Sequence, residues 1–163
     1  MQYVLKQKLV SLGNNFTITD LEGRDAFQVT GELATLGDKL SFADADGNEL
    51  LYIEQKVFSW VGMYEISRDG KVVAEVRRDL RSLLRRRFTV DMSGAENLEM
   101  LGDILAFEYV VKRGGKTAAT FTRQWLRLSD TYWIRIADDE PDVPLILALA
   151  VIVEVIANRR HNY

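Results

Sequence analysis

Through the first 137 residues, apolar positions recur with period two. Phe16 and Ile18 share one side of their segment, with Thr17 and Thr19 on the other. Tyr64 and Ile66 oppose Glu65 and Ser67; Phe88, Val90 and Met92 oppose Thr89 and Asp91. Leu98 and Met100 flank Glu99, and Tyr132, Ile134 and Ile136 alternate with Trp133 and Arg135. This alternation predicts strands with one buried face. Turn signals separate the segments at Asp20-Leu21-Glu22-Gly23, Asp44-Ala45-Asp46-Gly47-Asn48, Arg68-Asp69-Gly70 and Arg113-Gly114-Gly115. Glycine supplies the positive φ of tight hairpins, and Asp and Asn close turns with local side-chain hydrogen bonds. Two stretches echo each other: 12–20 resembles 36–44, and 68–74 resembles 113–119. Shared hairpin chemistry explains both better than ancestral duplication. The pattern predicts an antiparallel meander of about twelve strands; an open sheet that large curls, splits or closes, and closure removes its edges.

After residue 137 the pattern changes. Asp138, Asp139, Glu140 and Asp142 precede an apolar stretch, with Pro141 and Pro144 at its start and Arg159, Arg160 and His161 after it. Acid before and base after suit a helix dipole, and proline is tolerated in the first turn. Leu145 to Val153 is apolar throughout, so a helix over about 141–158 has no face for water and must be enclosed. Its seven large aliphatics, at roughly 1.5–3 kcal/mol each, contribute on the order of 10–20 kcal/mol before entropy is subtracted. At about 27 Å, such a helix is long enough to thread a barrel. The fold predicted for 1–163 is one mainly β domain: a closed antiparallel barrel enclosing its own C-terminal helix.

Composition narrows the chemistry. With no cysteine and His161 as the sole histidine, thiol catalysis, zinc-thiolate sites, disulfides and multi-histidine metal sites are excluded. Lys6 and Lys8 interrupt any signal-peptide core, which points to the cytoplasm. The longest apolar run, Val143–Val153, is shorter than the roughly 17–25 residues of a spanning helix. No cofactor is implied: Gly114-Gly115-Lys116 lacks the rest of a phosphate-binding loop.

An ordered series of segments resembles the LURP-one-related family: Lys6–Gly13, Gly37–Phe42, Asp46–Leu50, Tyr64–Ile66 with Arg68–Gly70, Arg87–Asp91, and Ile136–Asp138 before the apolar helix. The resemblance covers essentially the whole chain. It implies the fold shared with tubby C-terminal domains and phospholipid scramblases, a twelve-stranded barrel around a hydrophobic C-terminal helix. Tubby domains bind phosphoinositides, but no motif carries their lipid-binding residues onto positions here.

The strongest local anomaly is 77–87. Arg77, Arg78, Arg81, Arg85, Arg86 and Arg87 against Asp79 give +5, while the chain carries −3, leaving −8 elsewhere. Leu80, Leu83 and Leu84 have the spacing of a short amphipathic turn. The functional reading is contact with an anionic phospholipid surface, by a non-enzymatic protein peripheral to the membrane. The plainer one is a solvated connector paired with the acidic remainder. Nucleic acid fits less well, because the chain is acidic and no aromatic residue interleaves with the arginines. A different class of function, a small-ligand carrier or enzyme, would use a cavity at the barrel mouth near Glu154, the one acid in the apolar helix; its plainer placement is at the wet mouth or paired with an arginine, and Asn158, one turn on, points that stripe toward water. Asp44–Glu49 superficially resembles a calcium loop, but its glycine stands at the wrong position and a hairpin turn fits better. Trp60, Trp125 and Trp133 read as core and wall residues.

Overall fold

The computed structural model describes residues 1–8, 13–59, 62–79, 81, 85–103, 108–126 and 129–159, without the side chains of Arg85, Trp125, Leu126, Ser129, Asp130 and Arg159. Trp60, Leu80, Leu83, Leu84, Arg160 and His161 lie outside the described residues, as does the Trp125 side chain. Twelve strands precede one helix: β1 (Gln2–Gln7), β2 (Phe16–Thr19), β3 (Asp25–Gly31), β4 (Lys39–Asp44), β5 (Glu49–Lys56), β6 (Met63–Arg68), β7 (Lys71–Asp79), β8 (Arg85–Met92), β9 (Leu98–Asp103), β10 (Glu108–Arg113), β11 (Lys116–Leu126), β12 (Ser129–Ile136) and α1 (Val143–Arg159). Each strand pairs antiparallel with its sequence neighbours, and β1 pairs with β12 from Gln2↔Arg135 to Lys6↔Thr131, closing the barrel.

The alternation read from the sequence sets the wall. Phe16, Ile18, Tyr64, Ile66, Phe88, Val90, Leu98, Met100, Ile134 and Ile136 face inward and are 0–1% exposed. Trp133, on the side of β12 opposite Ile134 as the alternation predicts, faces outward from the wall and is 40% exposed. Inside runs α1, whose residues from Leu145 to Val153 are all 1% exposed or less. Eight strands just enclose their own side chains; twelve leave room for a helix. Among the described residues no helix is long and apolar enough to cross a membrane.

The helix begins two residues later than expected. Asp142 caps it: its Oδ1 accepts the Leu145 N–H at 3.2 Å, leaving Pro141 outside. Two arginines at equivalent hairpin positions pin this entry. Arg68 grips Asp142 through both carboxylate oxygens at 2.8 and 2.9 Å, and Arg113 reaches Glu140 at 2.8 Å. These are the echoing segments of the sequence. Asp69-Gly70 and Gly114-Gly115 both form two-residue turns with positive φ, each two paired positions past a register shift. The other echo matches as well. Asp20 Oδ1 accepts the N–H groups of Glu22 and Arg24, and Asp44 Oδ1 those of Asp46 and Asn48.

An up-and-down barrel has two ends. The turn end carries the β2–β3, β4–β5, β6–β7, β8–β9 and β10–β11 connections, and the helix enters there. At the loop end β1, β3, β5, β7, β9 and β11 finish and β2, β4, β6, β8, β10 and β12 begin, and the helix finishes there.

Candidate functional site

The arginine run belongs to the β7–β8 hairpin at the loop end, and strand alternation splits it. Arg78 stands opposite Phe88, whose ring is in the core, so Arg78 faces inward. Arg86 shares the face of Phe88 and Val90. Its Nη1 donates to the Tyr109 hydroxyl at 3.1 Å, and its buried Nε has no hydrogen-bond partner among the described residues. Arg77 and Arg87 face outward. Arg77 pairs with Glu75 at 2.7 Å and Asp91 at 3.8 Å, and Arg87 with Glu99 at 3.5 Å. Arg81 is exposed in the connection, where its N–H bonds to Asp79. Arg85 has a backbone place at the start of β8 only. The run is therefore not one basic face. Arg77, Arg81 and Arg87 form its outer part, while Arg78 and Arg86 line the barrel mouth.

Other inward polar groups share that mouth. Arg123, opposite Tyr132 across β11 and β12, has its guanidinium 5.7 Å from the Tyr132 ring centre. Burial, and then the charge of Glu154, raise the Tyr132 phenol above its ordinary value. Asn158 in the last helical turn donates to Gln7 at 3.0 Å. Of the two placements expected for Glu154, the wet mouth is not the one found. Glu154 is 2% exposed, enclosed at the level of Tyr132 and not wetted at the rim. Of three grooves formed by described residues, those of about 620 and 220 Å³ lie at the turn end and that of about 250 Å³ at the loop end against the β3–β4 loop; none is lined by Glu154.

The loop end carries a feature that the sequence reading missed. Phe58 is 94% exposed, Leu36 81%, Leu33 59% and Val57 49%. Leu33 and Leu36 belong to the β3–β4 loop, Val57 and Phe58 to the β5–β6 connection. Period-two patterning cannot flag them, because they lie between strands. The two segments meet: a Cβ on Gly37 would lie 3.3 Å from Val57 Cγ2.

The turn end is acidic, and Asp20 and Asp44 are engaged within their own turns. Asn48 lowers the Asp44 carboxyl below its ordinary value through side-chain and backbone hydrogen bonds, and Arg24 does the same for Asp20. Asp44 thus spends its oxygens on its own turn, as a hairpin requires. Among the described residues no group of three acids or histidines is placed to hold a metal.

Comparison with known proteins adds kinship. Residues 1–154 match the family model described as LURP-one-related. The uncharacterized protein YxjI of Bacillus subtilis (strain 168) is 33% identical over 156 residues, covering 96% of this chain and 93% of its own length. An X-ray structure of an Arabidopsis thaliana protein superimposes with a TM-score of 0.68 at 18% identity, over 96% of this chain and 91% of that one. That likeness is one of fold.

Proposed function

The chain belongs to the LURP-one-related family, and from that premise we propose that it is a non-enzymatic cytoplasmic binding domain that docks its loop end on anionic phospholipid surfaces. One observation carries the reading: the only strongly basic segment of an acidic chain sits at one end of the barrel, and acidic turns crowd the opposite end. An anionic surface attracts the first end and repels the second. Arg77, Arg81 and Arg87 are its outward contacts with an anionic leaflet. The exposed pairs of Arg77 and Arg87 are weak and exchange readily for phosphate oxygens. Arg78 and Arg86 stay with the barrel mouth.

The test is co-sedimentation with phosphatidylserine-containing and with pure phosphatidylcholine vesicles across a salt series. Binding to the anionic vesicles alone, falling as salt rises, is the expected result. Equal and salt-insensitive recovery with both would refute it. Charge removal by Arg77→Gln, Arg81→Gln and Arg87→Gln together abolishes the anionic preference. Glutamine is chosen over glutamate because reversal would set like charges beside Glu75, Asp91 and Glu99 and confound binding with folding.

A further inference from the structure

The four exposed apolar residues at the loop end are held out by the fold. A hydrogen bond from Ser59 N–H to the Lys56 carbonyl at 3.1 Å closes a turn whose two central positions are Val57 and Phe58. The corner of such a turn is its outermost point. The β3–β4 loop is braced from below. Asp38, 8% exposed, accepts from the Tyr64 hydroxyl at 2.8 Å and from Asn14 Nδ2 at 3.1 Å. Its main chain is tied to Gln55 by the Gln55 N–H at 2.8 Å and by Gln55 Oε1 at 3.2 Å. Thr35 Oγ1 donates to the Gly37 carbonyl at 2.8 Å, and the Tyr52 hydroxyl holds Glu32 at 2.8 Å. These bonds keep Leu33 and Leu36 from folding down onto the wall.

Burying a large apolar side chain is favourable, so holding four of them in water calls for an occupant. A second copy would bring its own arginines to the same end, against these. An anionic bilayer brings the opposite charge to the arginine hairpin, which lies one strand beyond β6, and apolar depth beneath it. We propose that the β3–β4 and β5–β6 tips, with Phe58 foremost and Leu36 beside it, insert into the interfacial layer of an anionic bilayer while the arginines outside take the headgroup phosphates. This rests on the docking reading above and adds what goes in and which way the barrel stands: axis toward the membrane, turn end away.

The cysteine-free chain permits a direct test. Phe58→Cys, Leu36→Cys and Leu21→Cys, each labelled with a polarity-sensitive fluorophore, are titrated with phosphatidylserine-containing vesicles. Leu21, exposed in the β2–β3 turn at the far end, is the control. Emission at positions 58 and 36 should shift to the blue on binding and emission at 21 should not. The unlabelled double variant Phe58→Ser with Leu36→Ser should bind about tenfold or more weakly, since that is the scale of losing one buried aromatic contact, and should keep its salt dependence. Sedimentation with the vesicles but no blue shift at 58 or 36 overturns insertion and leaves the arginine docking intact. Failure to sediment with anionic vesicles removes both. A blue shift that grows with protein concentration without vesicles makes a second copy the occupant and also overturns the proposal.

Discussion

Glu140 and Arg113 should respond to substitution very unequally. The Glu140 side chain is 2% exposed and that of Arg113 16%. The carboxylate accepts from Arg113 at 2.8 and 3.3 Å and from the Asp142 N–H at 3.3 Å. Arg113→Ala would leave a buried charge with one long backbone donor. Breaking a buried pair from one side costs about 3–5 kcal/mol. Glu140→Gln removes the charge but keeps an acceptor, while Arg113 retains the Glu96 carbonyl at 2.9 Å and a wetter setting. That substitution should cost about 1–2 kcal/mol. The double variant should be more stable than Arg113→Ala alone, because no buried charge is stranded. Arg68→Ala, at the equivalent hairpin but with side chains 39% and 21% exposed, sets the scale of a wetted pair at about 1 kcal/mol or less. Equilibrium urea unfolding with unchanged slope measures all four. Equal losses for Arg113→Ala and Glu140→Gln, or a double variant no better than the arginine single, would refute the reasoning.

Leu149→Ala, in the fully enclosed middle of α1, should lose about 3–5 kcal/mol in the same assay, whereas a helix resting on an outer surface would lose far less. Gly102→Ala would place a Cβ 2.7 Å from Tyr109 Cδ1; the ring must move off Arg86, at about 1–3 kcal/mol, and Tyr109→Leu in the same chain should recover part of the loss. Asp20 and Asp44 titrate below their ordinary 3.8, so their contribution is present above that pH and is lost as pH falls through the lower folded values. NMR titration of the carboxyls should place both below 3.8, and either one at or above it contradicts the turn geometry. At the alkaline side, burial and then Glu32 push the Tyr52 phenol up to about 12, and Tyr132 is raised too. Stability should therefore hold up to the ordinary phenol value near 10 and decline above it, with Tyr52→Phe flattening the decline.

The turn end was legible in the sequence because its chemistry is local. Asp20, Asp44, Asp69-Gly70 and Gly114-Gly115 specify their turns with groups no more than four residues away. The apolar run 145–153 was equally plain, since nine residues without a polar face leave no placement but enclosure. The loop end was not legible. Whether Arg78 faces the core and Arg77 the solvent depends on register with Phe88 and Thr89, which pairing fixes and composition does not. Glu154 looked wetted because its depth depends on where the rim falls along the helix. Phe58 and Leu36 looked like ordinary apolar residues; the Lys56–Ser59 turn holds the first outside, and the bracing of the β3–β4 loop by Asp38, Tyr64 and Gln55 the second.

Hydrogen–deuterium exchange with and without anionic vesicles tests most directly whether this two-ended barrel stands on its loop end. Amides at 33–37, 57–59 and 81 should slow when vesicles are added, and those at 20–24 and 44–48 should exchange as before. Slowing at the acidic turns, or none at the loop tips of vesicle-bound protein, would contradict it.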